Sequence, residues 1–161
     1  MITIDTRKEA LDYALRGWAV MPLLPKQKEP HFDLIRGAYL GASTDSSLIN
    51  FWFDVEPQAN IGIACITSGL IVIDIDYRNG GERLEIMPDT YTVKTGDGLH
   101  LYYKADKNLN FKSAIQPGID IKWKGYVAAA PSIHPNGAIY EVINNVEPVA
   151  ISNDLLEMGA K

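Results

Sequence analysis

Cysteine is almost absent from this chain. The single residue, Cys65, rules out an internal disulfide and any cysteine-rich zinc site. Long apolar runs are missing too, and nothing approaches the ~20 residues that span a bilayer. The opening Met1-Ile2-Thr3-Ile4-Asp5 has neither the basic region nor the apolar stretch of a secretory signal. A cytoplasmic protein with no membrane partner is therefore expected. Positive charge is also in deficit: fifteen Lys and Arg stand against twenty Asp and Glu, a net charge of −5. A dedicated duplex binder usually shows a basic face, because phosphate neutralisation supplies most non-specific affinity. Here the cations read as scattered, with small groups at Lys26/Lys28 and Lys122/Lys124. Enzymes that bind metal ions escape this exclusion, since the ions offset their own carboxylates and an anionic substrate. Internal repeats and low-complexity segments are absent.

What remains is an ordinary globular composition, 47% hydrophobic and 22% charged over 161 residues, enough for one well-packed domain spanning 1–161. Thr6-Arg7-Lys8-Glu9 is a capping-box pattern, and Ala10, Leu11, Ala14 and Leu15 recur at helical spacing up to Gly17. A short strand is expected at Trp18–Met21, then a polar loop over 25–44, of a length that is often functional. A second helix from Asp45 to Pro57 would bury Leu48, Ile49, Trp52 and Phe53. Strands follow at Asn60–Ile66 and Leu70–Asp76, then a short helix ending at Pro88. Two further pairs are expected, Thr90–Lys94 with Leu99–Lys104 and Gly118–Trp123 with Tyr126–Ala130. A last strand at Ile139–Ile143 follows the Pro135-Asn136-Gly137 turn. The class is α+β with mostly antiparallel strands.

Three of these strands carry polar residues on one face. Side chains alternate along a strand, so residues i and i+2 point the same way. Ile71, Ile73 and Ile75 share one face of Leu70–Asp76, and Asp74 and Asp76 emerge together on the other. Burying two unpaired carboxylates would be very costly, so packing does not explain them. They suit a hard cation such as Mg²⁺ or Mn²⁺, which prefers oxygen ligands. His100 and Tyr102 likewise oppose Leu99, Leu101 and Tyr103, and Asp120 and Lys122 oppose Ile119, Ile121 and Trp123. In one sheet, these strands would gather three carboxylates, a histidine and a lysine, a set suited to phosphoryl transfer. The turn Thr95-Gly96-Asp97-Gly98 would let backbone amides approach a phosphate closely. Taken singly, each piece has an ordinary explanation as a turn, a surface histidine or a hairpin; their order and shared facing make the argument. At ~5 Å three such carboxylates would repel by up to ~3 kcal/mol per pair, about 1 kcal/mol after screening. Strain in the metal-free protein is the expectation.

The same residues resemble the bifunctional primase-polymerase (Prim-Pol) domain of the archaeo-eukaryotic primase superfamily, found in plasmid, phage and mobile-element replication proteins. The likeness runs from about Ala10 to Tyr140. Its metal motif corresponds to Ile73-Asp74-Ile75-Asp76 followed by Gly80-Gly81, its histidine motif to Thr95–Tyr102, and its third motif to Gly118-Ile119-Asp120-Ile121-Lys122. Flanking segments also fit: Gly17–Leu23 with Lys28 and Pro30, Ala42–Asp45, Trp52, Asn60–Ala64, and Gly125–Ser132 with His134, Gly137 and Tyr140. The resemblance implies an α/β module packed beside an RRM-like sheet and template-directed nucleotidyl transfer, as DNA polymerase or primase, with two divalent ions, Mg²⁺ or Mn²⁺. It implies Asp74, Asp76 and Asp120 as metal ligands, and His100 as a triphosphate contact helped by Thr95, Gly96, Gly98, Lys122 and Ser132. As partners it implies NTPs or dNTPs, a single-stranded DNA template or primer-template, and a helical accessory or helicase domain that these residues do not contain.

Two other readings stay open. A glycosyltransferase also uses Asp-x-Asp to hold metal against a sugar nucleotide's diphosphate, but requires no histidine and third aspartate in series. A catalytically degenerate core would bind nucleotide or nucleic acid without turnover, and the three intact carboxylates count against it.

Overall fold

The first helix begins one residue before the capping pattern predicts. In the computed structural model, which describes residues 5–161, Asp5 caps α1 (Thr6–Leu15) by accepting from the Lys8 N–H at 3.1 Å. Gly17 ends it with φ +83°, a left-handed conformation that glycine adopts without a Cβ clash. Ala10 and Tyr13 are the buried positions and Leu15 is 87% exposed, so the stripe lies slightly round the helix from the expected one. Asp45 caps α2 (Ser46–Val55), which buries Ile49, Trp52 and Phe53 and leaves Leu48 exposed.

The strands form two antiparallel sheets. β1 (Val20–Leu23), β2 (Asn60–Ala64) and β8 (Tyr126–Ala128) make a three-stranded sheet in the order β1-β2-β8. The larger sheet contains β3 (Leu70–Asp76), β4 (Tyr91–Lys94), β5 (Gly98–Lys104), β6 (Ala114–Gln116), β7 (Ile119–Lys122) and β9 (Glu141–Asn144). Its order is β6-β7-β3-β5-β4-β9. With α3 (Asn153–Gly159) the described residues form an α+β fold of three helices and antiparallel sheets.

Two expectations are corrected. Residues 82–88 form no helix; a single Met87 N–H to Leu84 carbonyl bond makes only a turn there. The strands on either side of Lys124-Gly125 do not pair with each other: β7 joins β3 and β6, and β8 joins β2. The reason is tertiary. The Cys65 N–H donates to the Gly125 carbonyl and the Ile66 N–H to that of Trp123, both at 2.9 Å, so the β2–β3 and β7–β8 links cross between the sheets side by side.

β3 divides the core. Ile71, Ile73 and Ile75 pack with Met87, Leu101, Tyr103, Ile119, Trp123 and Leu155 on one side. On the other, Leu70 and Val72 join the larger cluster under α1, α2 and the three-stranded sheet. Asp74 and Asp76 continue that second face beyond this apolar cover, each partly buried.

Candidate active site

The register of the larger sheet lines up the predicted residues. Asp74 lies directly opposite His100 on β5 and directly opposite Asp120 on β7. Opposed residues on antiparallel strands share a face, with Cα atoms about 4.5–5.5 Å apart. Asp120, Asp74 and His100 thus form one row across three adjacent strands. The next row on that face is Lys122, Val72 and Tyr102, and Tyr102 runs back into the core. Asp76 pairs with Gly98 at the opposite end of β3 from Leu70.

Contacts within the row are specific. His100 is buried, and its Nε2 stands 3.5 Å from Asp74 Oδ1, while its Nδ1 is buried with no hydrogen-bond partner. Lys122 Nζ is 4.0 Å from Asp120 Oδ2. Burial is the largest single influence on Asp74 and opposes its ionisation. The bond and charge of His100, then Lys122 and Lys28, outweigh it together and hold the carboxyl below its ordinary range. The expected repulsion among like charges is not among the influences on Asp74, where burial is opposed by His100, Lys122 and Lys28 together.

Asp74 and His100 of this row open into a cleft of about 940 Å³ between the sheets, whose wall also includes Lys28, Lys122, Tyr126 and Tyr140 but not Asp120 or Asp76. Lys28 and Tyr140 had no assigned role in the sequence reading beyond the family likeness, since only folding brings them here. The Tyr126 hydroxyl donates to the Lys28 carbonyl at 2.7 Å and ties the 25–44 loop to β8. Tyr140 lies between two imidazoles, its ring centroid 6.1 Å from that of His100 and 5.8 Å from that of His134. Burial, and secondarily the Asp74 charge, pushes its phenol up to about 12, so it stays protonated at neutral pH.

Other predicted residues lie elsewhere. Ser132 is 1% exposed, and its hydroxyl both accepts from the Ile61 N–H (2.9 Å) and donates to the Ile61 carbonyl (3.2 Å). It fastens the chain after β8 to β2. Thr95, Gly96 and Gly98 belong to the β4–β5 turn beside Asp76, outside the cleft wall. Both glycines have packing reasons: a Cβ on Gly96 would meet the His134 ring, and one on Gly98 would meet the Ile75 carbonyl.

The donor set fits a hard divalent ion, being three carboxylates on one face with Asp74 and Asp120 directly opposed. Among the described residues no three His, Cys, Asp or Glu side chains converge as a ready-made metal cluster. Asp76 is engaged by its own turn, accepting from the Arg78 N–H at 3.1 Å and from Asn79 Nδ2 at 2.6 Å. Among the described residues, no helix is long and apolar enough to cross a membrane.

Comparison with known proteins agrees with this arrangement at the level of family. No curated protein matches the chain. The family model for the bifunctional DNA primase/polymerase N-terminal domain matches residues 10–155, which include α2, both sheets and the whole Asp120–Asp74–His100 row. A match over nearly the full length makes this chain a member of the Prim-Pol family.

Proposed function

We propose that this chain is a nucleotidyl transferase that extends a 3′-hydroxyl opposite a DNA template, as DNA polymerase, primase or both, in the replication of a plasmid, phage or other mobile element. The observation that carries the reading is the row Asp120–Asp74–His100, in which metal-type ligands and a phosphate-type contact are held side by side by strand register. Asp74, Asp76 and Asp120 are the residues that would hold Mg²⁺ or Mn²⁺. Such ions, when bound, supply positive charge that activates the hydroxyl and stabilises the departing pyrophosphate. The protein's part is binding and orientation. Asp74 is ionised at neutral pH because the cations beside it keep its carboxyl low. His100, Lys122 and Lys28 present cationic or hydrogen-bonding groups to the triphosphate on the same wall. In the reaction the 3′-oxygen bonds to the α-phosphorus, the bond to pyrophosphate breaks, and no side chain need act as base.

One observation favours the degenerate binding module instead: both oxygens of the Asp76 carboxylate are engaged, by the Arg78 N–H and by Asn79 Nδ2. A primed-template extension assay with dNTPs and then NTPs, in Mg²⁺ and in Mn²⁺, separates the two. Extension supports the proposal, and nucleotide binding without extension in any combination supports the module. Hydrolysis of a sugar nucleotide without extension would favour the glycosyltransferase.

His100→Ala is expected to weaken nucleoside triphosphate binding about ten- to a hundredfold, the worth of a charge-assisted contact of about 1.5–3 kcal/mol. Its effect on template affinity should be smaller. Titration with a fluorescent dNTP and a labelled template measures both, and the reverse ranking would remove His100 from the triphosphate site.

A further inference from the structure

His100 has a polar partner at one ring nitrogen only. Its Nε2 stands 3.5 Å from Asp74 Oδ1, but its Nδ1 is buried with no hydrogen-bond partner among the described residues. The plane of an imidazole is not fixed by its own torsion, whose wells are broad. It is ordinarily set by what the second ring nitrogen bonds. The sheet does not supply that bond. The cross-strand neighbours of His100 are Asp74 and Val93, and its neighbours along β5 on the same face are Gly98 and Tyr102. Val93 and Gly98 offer no polar side chain, and the Tyr102 hydroxyl is itself buried without a partner among the described residues. Packing is left to hold the ring.

That packing comes from Tyr140. Its ring, 3% exposed, is tilted by 38° to the His100 imidazole with centroids 6.1 Å apart, and it packs at 5.8 Å and 42° against His134. Both supports of Tyr140 are themselves fixed. Its N–H donates to the Ser132 carbonyl at 2.9 Å, and the Ser132 hydroxyl is bonded to the Ile61 backbone. His134 is braced by the 3.0 Å bond its Nδ1 accepts from the Asn136 N–H. It also rests against Gly96, where a Cβ would come 2.5 Å from the ring. Tyr140 therefore presents a firm aromatic surface to an imidazole that lacks a polar brace.

We propose that Tyr140 is a positioning residue: its ring holds the His100 imidazole in the plane that keeps Nε2 toward Asp74, and through His100 it sets the affinity for nucleoside triphosphate. The inference rests on the reading of His100 as a triphosphate contact, and it assigns the role to the aromatic ring rather than to the phenol hydroxyl.

The test is titration with a fluorescent dNTP of Tyr140→Leu and Tyr140→Phe, each alone and combined with His100→Ala. Tyr140→Leu should bind about three- to tenfold more weakly, the worth of an aromatic pair, and Tyr140→Phe should stay within about twofold of wild type. In the His100→Ala background, Tyr140→Leu should add no further loss, because its effect passes through the missing imidazole. A loss that multiplies that of His100→Ala would overturn the proposal, by showing that Tyr140 touches the nucleotide itself or only supports the fold. So would a Tyr140→Phe protein as weak as Tyr140→Leu, which would move the role to the hydroxyl. Because Tyr140 is buried, Tyr140→Met is measured in parallel in case Tyr140→Leu does not fold; it keeps bulk without a flat ring, and the same result is expected. A crystal structure of the folded variant without nucleotide gives a readout independent of binding. It should show His100 turned from Asp74 or in two orientations, and an unmoved imidazole would overturn the proposal. A displaced imidazole with unchanged dNTP affinity would leave the positioning role standing and refute His100 as a triphosphate contact.

Discussion

Asp74→Asn is expected to reduce nucleotide incorporation by at least about a thousandfold, beyond the 10–100-fold that losing an outer contact to a metal ligand typically costs. Asp74 is the middle of the row, opposed on one side by Asp120 and on the other by His100. The amide matches the carboxylate in size, so no cavity forms and the fold should persist. Stability should still change in a pH-dependent way. The Asp74 carboxyl is held below its usual range in the folded chain, so its ionised form favours folding. That contribution is fully present above the unfolded value of about 3.9 and is lost as pH falls through the lower folded value. In chelator, the variant should therefore melt slightly below wild type at pH 7, and the two curves should converge in acid. Incorporation within tenfold of wild type would remove Asp74 from the catalytic centre. A variant that melts higher than wild type in chelator at pH 7 would show that repulsion from Asp120, not attraction from His100, Lys122 and Lys28, governs this residue.

The contrast between what could and could not be read in advance has a consistent physical basis. β3 was legible to the residue, because Leu70–Asp76 alternates between an isoleucine face and a face ending in two carboxylates. The shared facing of Asp74, His100 and Asp120 was legible for the same reason, as each strand's alternation is local. Which strands sit side by side was not. Asp74 meets residues 26 and 46 positions away, and no local signal encodes that register. Lys124-Gly125 looked like a hairpin turn, but hydrogen bonds from Cys65 and Ile66 make it a crossing between sheets. The same long-range folding brings Lys28, Lys112 and Lys124 to one cleft. Nor does any local signal tell that the Ser132 hydroxyl is engaged by the Ile61 backbone of β2. The seven-residue α3 escaped notice because so short a segment carries too little periodicity, although Ser152 caps it by accepting from the Leu155 N–H at 3.2 Å.

Gly98→Ala is expected to cost more stability than any other single change in the β4–β5 turn, and to cost activity with it. Gly98 begins β5 directly opposite Asp76, where its backbone approaches β3 so closely that an added Cβ would run into the Ile75 carbonyl. That obstacle is backbone in the middle strands of the sheet, so it cannot swing aside as a side chain would. Either β5 separates from β3 at this end or the Ile75 peptide tilts out of the ladder. Overpacking of this kind costs about 1–3 kcal/mol, which at this chain length lowers the melting temperature by roughly 3–10 °C. The functional loss follows from the register. His100 is two residues from Gly98 on the same strand and faces Asp74, so a shift of β5 displaces it relative to both aspartates of β3. A misplacement of about 1 Å in a reacting constellation can cost about a hundredfold in rate. Gly96→Ala is the matched control. Its Cβ would meet the His134 ring, 2.5 Å from Cδ2, and that ring can rotate at the expense of the 3.0 Å bond its Nδ1 accepts from the Asn136 N–H. Gly96→Ala should therefore melt closer to wild type and retain most incorporation. Thermal melts of the three proteins beside a primed-template extension assay decide the matter. Equal losses in both variants would place the constraint in the turn rather than between the strands. A Gly98→Ala protein that melts and extends like wild type would mean that β5 has room to move, and that strand register does not fix His100 against Asp74.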